Sequence, residues 1–229
     1  MTNAEVQHIA KQTMDFIKSQ ITVGMSLQEL RHIAETKMRA LGATSFWYWD
    51  IGAFIFSGEE TTLSVSGKYY QTANKLIKEN DIITIDLSPQ VGNIWGDYAR
   101  TIIIENGVVV DEINKVCNTE WKNGLLMEDK LHKEILSFAT PKTTFEEMYV
   151  YINEFITANG YVNLDFMSNL GHSIETNKDD RIYIENGNRI PLGNVRYFTF
   201  EPHIAIKGSK YGFKKENIYY FENSIIKEI

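Results

Sequence analysis

A single cysteine, Cys117, stands in a chain of 229 residues, so no disulfide can form within it, and a reducing cytoplasm is the expected compartment. There is no basic run, and the net charge is −7, which leaves a nucleic-acid backbone or an anionic membrane no electrostatic footprint to meet. No stretch approaches the roughly 20 apolar residues that cross a bilayer, and the polar start MTNAEVQHIAKQ lacks the apolar core of a signal peptide. A Ser/Gly-rich linker is missing too, so the expectation is one merged domain over 1–229. What remains is ordinary globular composition, 43% hydrophobic and 23% charged, enough for one large core or two small ones.

Apolar residues at Val6, Ile9, Ala10, Met14 and Ile17 keep helical spacing and predict a first helix over about Ala4–Ser19. Ser26 and Glu29 form a capping box ahead of the stripe Leu27, Leu30, Ala34, Met38 and Leu41, which Gly42 ends. Thr144 and Glu147 repeat the box ahead of Phe145, Met148, Ile152, Phe155 and Ile156, with Gly160 as the stop. Cap and glycine are equally far apart in both helices, since 42 − 26 and 160 − 144 give the same spacing, which suggests an internal repeat. Aromatic and β-branched stretches follow each helix and read as antiparallel strands: FWYWDIGAFIFSG, TTLSVSG, DIITIDL and IWGDYARTIII in the first half, RIYIENG, VRYFTFEPHIAI and IYYFENSIIKEI in the second. A long helix over about Val110–Phe138, bent near Asn123-Gly124, joins two α+β halves, and a ligand is expected at their seam.

The chemistry lies in acids placed where acids are costly. Asp86 and Asp97 sit symmetrically in IITIDLSPQVGNIWGDYART, which in a simple hairpin register makes them direct cross-strand partners. Two carboxylates there repel, and each loses hydration at a cost of several kcal/mol. Arg100 lies an odd number of residues from Asp97 and points to the other face, so a bound cation is the better partner. Glu201 in FTFEPHI and Glu222 in YYFENSII repeat the anomaly, and His172 in NLGHSIE offers a neutral nitrogen. Four carboxylates are neutralised by two divalent ions, and with one imidazole the donor set suits Mn, Co, Fe or Zn more than Ca. His203 shares the strand face of Glu201 and is a candidate substrate contact, as are Trp47 and Trp49 in the run Phe46–Trp49, although strand aromatics are more often core. Lys210, Lys214 and Lys215 read as a solvated loop.

In this order IDLSPQVGNIWGDYART, NLGHS, FTFEP and YYFENSII resemble the methionine aminopeptidase, aminopeptidase P and creatinase superfamily, over nearly the whole chain. The resemblance implies the pita-bread fold, an α+β architecture of two pseudo-symmetric halves around a curved antiparallel sheet, here as the catalytic unit alone. It implies five metal ligands, with Asp86 chelating one ion, Asp97 and Glu222 bridging both, and His172 with Glu201 completing the other. Glu201 is then also the proton shuttle, and the reaction is attack of a metal-bridging hydroxide on an amide carbonyl of a small peptide. A homodimer is compatible with the resemblance. Three departures stand out: Ser64 and Val65 replace a usual histidine, Asn177, Lys178 and Asp179 surround the place of a second, and Tyr220 stands where prolidase-like members carry an arginine. The usual proline specificity is therefore not expected. The rival readings are a creatinase-like or specialised biosynthetic hydrolase of a non-peptide amide, and a binding module that keeps the fold without turnover.

Overall fold

The computed structural model describes residues 1–229. In chain order it contains α1 (Asn3–Gln20), α2 (Leu27–Ala40), β1 (Ser45–Phe46), β2 (Ala53–Ser57), β3 (Asp81–Leu87), β4 (Pro89–Val91), β5 (Ile94–Trp95), β6 (Tyr98–Glu105) and β7 (Val108–Val109). The second half follows with α3 (Thr119–Phe138), α4 (Phe145–Ala158), β8 (Tyr161–Asn163), β9 (Phe198–Phe200), β10 (His203–Ile206), β11 (Phe213–Lys214), β12 (Asn217–Glu222) and β13 (Ile225–Glu228). Each half thus places a helix pair beside small antiparallel sheets, in the orders β2-β3-β6-β7 and β1-β4-β5, then β11-β10-β8 and β13-β12-β9.

The helix signals are realised at the atoms. Thr2 and Thr144 form reciprocal capping boxes with Glu5 and Glu147, and the Ser26 hydroxyl accepts from the Glu29 N–H. Gly42 and Gly160 both adopt positive φ after their helices. The joining helix is shorter than its apolar pattern predicts and starts at Thr119. The carboxylate of Glu105 accepts the N–H groups of Cys117 and Asn118, and Asn118 caps Trp121, so the segment before Asn118 is tied to the sheet and cannot wind. The helix runs unbroken through Gly124, which admits the buried ring of Phe213, whose atoms lie 2.3 Å from where a Cβ would stand.

Two predicted strands are not formed. TTLSVSG makes 3-10 turns at Gly58–Thr62 and Gly67–Tyr69 with open chain between, because Thr61 and Thr62 hydroxyls bond back three residues and compete with a ladder. RIYIENG contributes only an isolated bridge between Tyr183 and His172. The run from Phe46 is broken into β1 and β2 by Trp49 and Asp50, both at positive φ.

The four-stranded sheet is buried on both faces, which explains its unbroken apolar runs. Ile83, Ile85 and Leu87 of β3 and Ile102 and Ile104 of β6 pack under α1 and α2, whereas Ile82 and Ile103 join the core of the second half. There are therefore two large apolar cores, one centred on each half, with smaller clusters around Trp47–Trp95 and Phe54–Tyr70. Alternation then decides where polar side chains go: Thr84 and Asp86 share the parity of Ile82 and face the second half. The halves are stitched there by Glu216 N–H to Ala99 O at 3.0 Å and by Thr101, which bonds the backbone of Lys214 both ways.

His132 on α3 braces the same strand from behind. Its Nε2 lies 3.0 Å from the Lys215 carbonyl, which can only accept, so the proton is on Nε2 and Nδ1 accepts from the Tyr219 hydroxyl at 2.7 Å. Burial, aided by the Lys215 charge, pushes this imidazole well below its ordinary range. The unfolded chain takes up a proton near pH 6.5 that the folded chain refuses, so stability is full above that pH and falls as pH drops below it. His132→Gln, which keeps a donor and an acceptor, is expected to flatten the acid side of the stability profile by up to about 1.4 kcal/mol per pH unit. Denaturant melts from pH 7 to pH 5 measure it, and an unchanged slope refutes it.

Candidate metal centre

The cavity at the seam has a volume of about 420 Å³, and Asp86, Asp97, His172, Glu201, His203 and Lys214 all face it. Asp97 arrives just before β6, its backbone clamped on both sides by the buried Gln7 side chain, which donates to its carbonyl at 2.7 Å and accepts its N–H at 2.9 Å. Asp86 is not its direct partner. The ladder pairs Asp86 with Ala99 and Gln90 with Trp95, because the hairpin turns tightly on Gly92-Asn93, with Gly92 at φ +61. The same register carries Asp97 opposite Ser88, so the two acids are diagonal neighbours on one face. Their carboxylate oxygens still lie within 4.8 Å of each other and of Glu216.

His172 is placed by Gly171, whose φ of +137 and 2.4 Å approach to the Thr199 carbonyl leave no room for a Cβ. Its N–H donates to the Thr199 hydroxyl, and its carbonyl accepts from the Thr199 N–H. Nδ1 lies 3.1 Å from the Ser173 carbonyl, an acceptor only, so Nδ1 carries the proton and Nε2 presents its lone pair. That lone pair points at Asp97 and Glu201, each 3.7 Å away. Burial pushes the imidazole down to about 4, so near neutral pH it is uncharged.

Glu222 stands elsewhere. It closes the β12–β13 hairpin at the turn Asn223-Ser224, is exposed, and pairs with Lys227 across the ladder end. Glu216 takes the place foreseen for it. The pairing of Asn217 with Phe200 extends to set Glu216 opposite Glu201, and Glu216 is completely buried with no hydrogen-bond partner for either carboxylate oxygen. The aromatic neighbours of Glu222 mark a strand, not the burial of that residue, while Glu216 is masked in sequence by Lys214 and Lys215. With Glu216 as the last acid, the residue two before it is Lys214 rather than Tyr220, and a cation is present at that place after all.

Lys214 is not in a solvated loop. Its Nζ reaches Asp86 Oδ2 at 2.6 Å and Glu201 Oε2 at 3.0 Å, held by the short strand β11. Lys210 is on the surface with Glu59, and Lys215 pairs with Asp129 at 2.5 Å. Burial, reinforced by Asp86 and Glu201, holds Asp97 well above the usual carboxylate range, and burial with Asp97, Glu201 and Asp86 does the same to Glu216. Burial also pushes Glu201 up, but Lys214 and His172 outweigh it and leave its carboxyl below that range.

Among the candidate substrate contacts, Trp47 lies in the cavity wall with its ring 5.6 Å from His172. His203 is buried there, donating from Nε2 to the Thr61 carbonyl at 2.7 Å. Trp49 turns away, exposed and packed beside Gly67.

The residues fit divalent ions. One ammonium faces four carboxylates, Glu216 has two orphaned oxygens, and a neutral imidazole aims its lone pair at two acids, an arrangement that is repulsive without a cation between them.

Comparison with known proteins bears on the fold and the family. The chain superposes on an X-Pro aminopeptidase from Thermotoga maritima with TM-score 0.79 and 22% identity, over 98% of this chain and 58% of that one. A prolidase from Pyrococcus furiosus gives 0.80 and 21%, over 98% and 61%, and an Xaa-Pro dipeptidase from Bacillus anthracis gives 0.73 and 20%, over 98% and 58%. The chain thus spans about three fifths of these structures, which share its pita-bread fold. A search of curated proteins finds no match. The model of metallopeptidase family M24 matches residues 3–223, and the chain belongs to that family.

Proposed function

We propose that residues 1–229 form a single catalytic domain of a metal-dependent hydrolase that cleaves an amide C–N bond, most simply as an aminopeptidase acting on small peptides. Asp86, Asp97, His172, Glu201 and Glu216 are the ligands of two divalent ions from the Mn, Co, Fe and Zn group. The observation that carries this reading is the His172 Nε2 lone pair directed at Asp97 and Glu201. When bound, such ions polarise the amide carbonyl and acidify water. The chain supplies the rest. Glu201, kept ionised by Lys214 and open to the cavity, takes the proton of the attacking water and returns it to the leaving nitrogen. His203, neutral with Nδ1 as its free acceptor, borders the substrate space. The cytoplasm is the proposed compartment, on the ground of a lone exposed thiol at Cys117.

The test is a digest of dipeptides and tripeptides with Mn or Co added, read as released amino acid, beside elemental analysis of the loaded protein. About two ions per chain and release of the amino-terminal residue are expected. Loaded protein that leaves every peptide intact sinks the peptidase reading. The second reading, hydrolysis of a non-peptide amide, draws on the cavity wall at Ser64 and Val65, where the imidazole usual in the superfamily is lacking. Turnover of small amides alone favours it.

A further inference from the structure

Among the apolar residues that α1 turns inward stands one amide. Gln7 is completely buried, and a buried amide is costly unless its donor and acceptor atoms are met. Its Oε1 accepts the Asp97 N–H at 2.9 Å and its Nε2 donates to the Asp97 carbonyl at 2.7 Å, the two bonds that a neighbouring antiparallel strand would make. The ladder lapses at this point, since β5 ends at Trp95 and β6 begins at Tyr98. Gly96 allows the approach: a Cβ there would stand 2.9 Å from Gln7 Oε1 and 3.2 Å from both the Gln7 Cα and the Val6 carbonyl oxygen.

The other acids of the centre are held differently. Asp86 sits inside the sheet, opposite Phe54 on one side and Ala99 on the other. The N–H groups of Glu201 and Glu216 donate to the carbonyls of Leu170 and Ala99 at 2.9 and 3.0 Å. These three take their backbone positions from other stretches of main chain, whereas Asp97 takes its own from a side chain. His172 Nε2 stands 3.7 Å from the Asp97 carboxylate, beyond hydrogen-bond reach, so the carboxylate is aimed by its backbone. Lys11, one turn after Gln7, fastens the same helix to the second half through Glu228 at 2.8 Å and the Ile229 carbonyl. Glu228 in turn accepts from Asn217, the chain neighbour of Glu216. One helix thereby sets the segments that carry Asp97 and Glu216 against each other.

From this geometry, and resting on the reading of Asp97 and Glu216 as metal ligands, we propose that Gln7 is a positioning residue of the metal centre: it acts through Asp97, and tight binding of the divalent ions requires α1 to be docked through this amide.

The experiment titrates Mn into the metal-free protein by calorimetry, beside thermal melts, for wild type, Gln7→Met, Gly96→Ala and Met14→Ala. Gln7→Met keeps the length of the side chain and removes both bonds to Asp97. It is expected to weaken Mn binding by about 10- to 100-fold, the range typical when a group behind a ligand is lost. Gly96→Ala leaves Gln7 in place but crowds its Oε1, and is expected to weaken Mn binding by a smaller factor. Met14→Ala hollows the buried packing of α1 and lowers the melt at least as much as Gln7→Met, while its Mn affinity stays that of wild type. Wild-type affinity in Gln7→Met, or an equal loss in Met14→Ala, overturns the positioning role and leaves the metal centre standing. If Gln7→Met does not fold, Gly96→Ala decides, and an unchanged affinity there overturns the proposal. Wild type that takes up no Mn removes the metal centre and the proposal with it.

Discussion

Glu216→Gln is expected to empty the metal centre and lower peptide hydrolysis by at least about a thousandfold, since even groups one layer behind a ligand typically cost 10–100-fold. Glu222→Gln is expected to change neither. The two glutamates are six residues apart on one chain segment, yet their surroundings are opposite. Glu216 is completely buried, opposite Glu201 by register and within 4.8 Å of the oxygens of Asp86 and Asp97. Glu222 is exposed at the end of the last hairpin, with Lys227 as its partner, and an exposed ion pair contributes only about 0–1 kcal/mol. Elemental analysis after dialysis against Mn, with release of free amino acid measured on the same samples, reads both variants. Glutamine preserves shape, so lost metal with an unchanged fold by circular dichroism isolates the charge. If Glu222→Gln strips the metal and Glu216→Gln does not, the ligand set proposed here is wrong.

That contrast also marks how far the chain can be read without coordinates. A helix boundary is legible where a cap marks it, because caps are local chemistry: Thr144 and Glu147 act within one turn, whereas the start of α3 is set by Glu105 from the sheet. Asp86, Asp97, His172 and Glu201 announce themselves as polar groups within or beside apolar stretches of sequence, and the fold does bring them to one cavity. Register is where local information runs out. The tight Gly92-Asn93 turn moves Asp86 from Asp97 to Ala99, a shift invisible to a symmetric count about the connection. Lys214 and Glu216 are hidden for a related reason. KKEN looks like surface because all four of its side chains are charged or polar, and only the pairing of β6 with the segment from β11 onward shows that it lies against Ala99 and Thr101. Thr61, Thr62 and the bridge at Tyr183 teach the complementary lesson, that β-branched and aromatic content predicts a strand only where a partner ladder exists.

Lys214→Met is expected to destabilise the metal-free protein by roughly 3–5 kcal/mol, the cost of stripping one partner from a buried ion pair. For a chain of this size that is a fall in melting temperature on the order of 10 °C. Lys214 Nζ contacts both Asp86 and Glu201, and no other ammonium or guanidinium pairs with either. Removing it lifts the influence that holds the Glu201 carboxyl below its usual range, so burial is left to push that carboxyl up. A carboxyl raised in the folded state stabilises only while protonated. The deficit of the variant therefore grows as pH rises above the unfolded carboxylate pKa of about 4.3 and is smallest in acid. Divalent ions supply the missing charge, so saturating Mn is expected to raise the melting temperature of Lys214→Met more than that of the wild type and to bring the two closer together. Thermal melts at pH 5 and pH 8, with and without Mn, contain the whole comparison. A metal-free variant as stable as wild type at pH 8 would mean that the clustered acids do not need the lysine, and the electrostatic account of this cavity would fail with it.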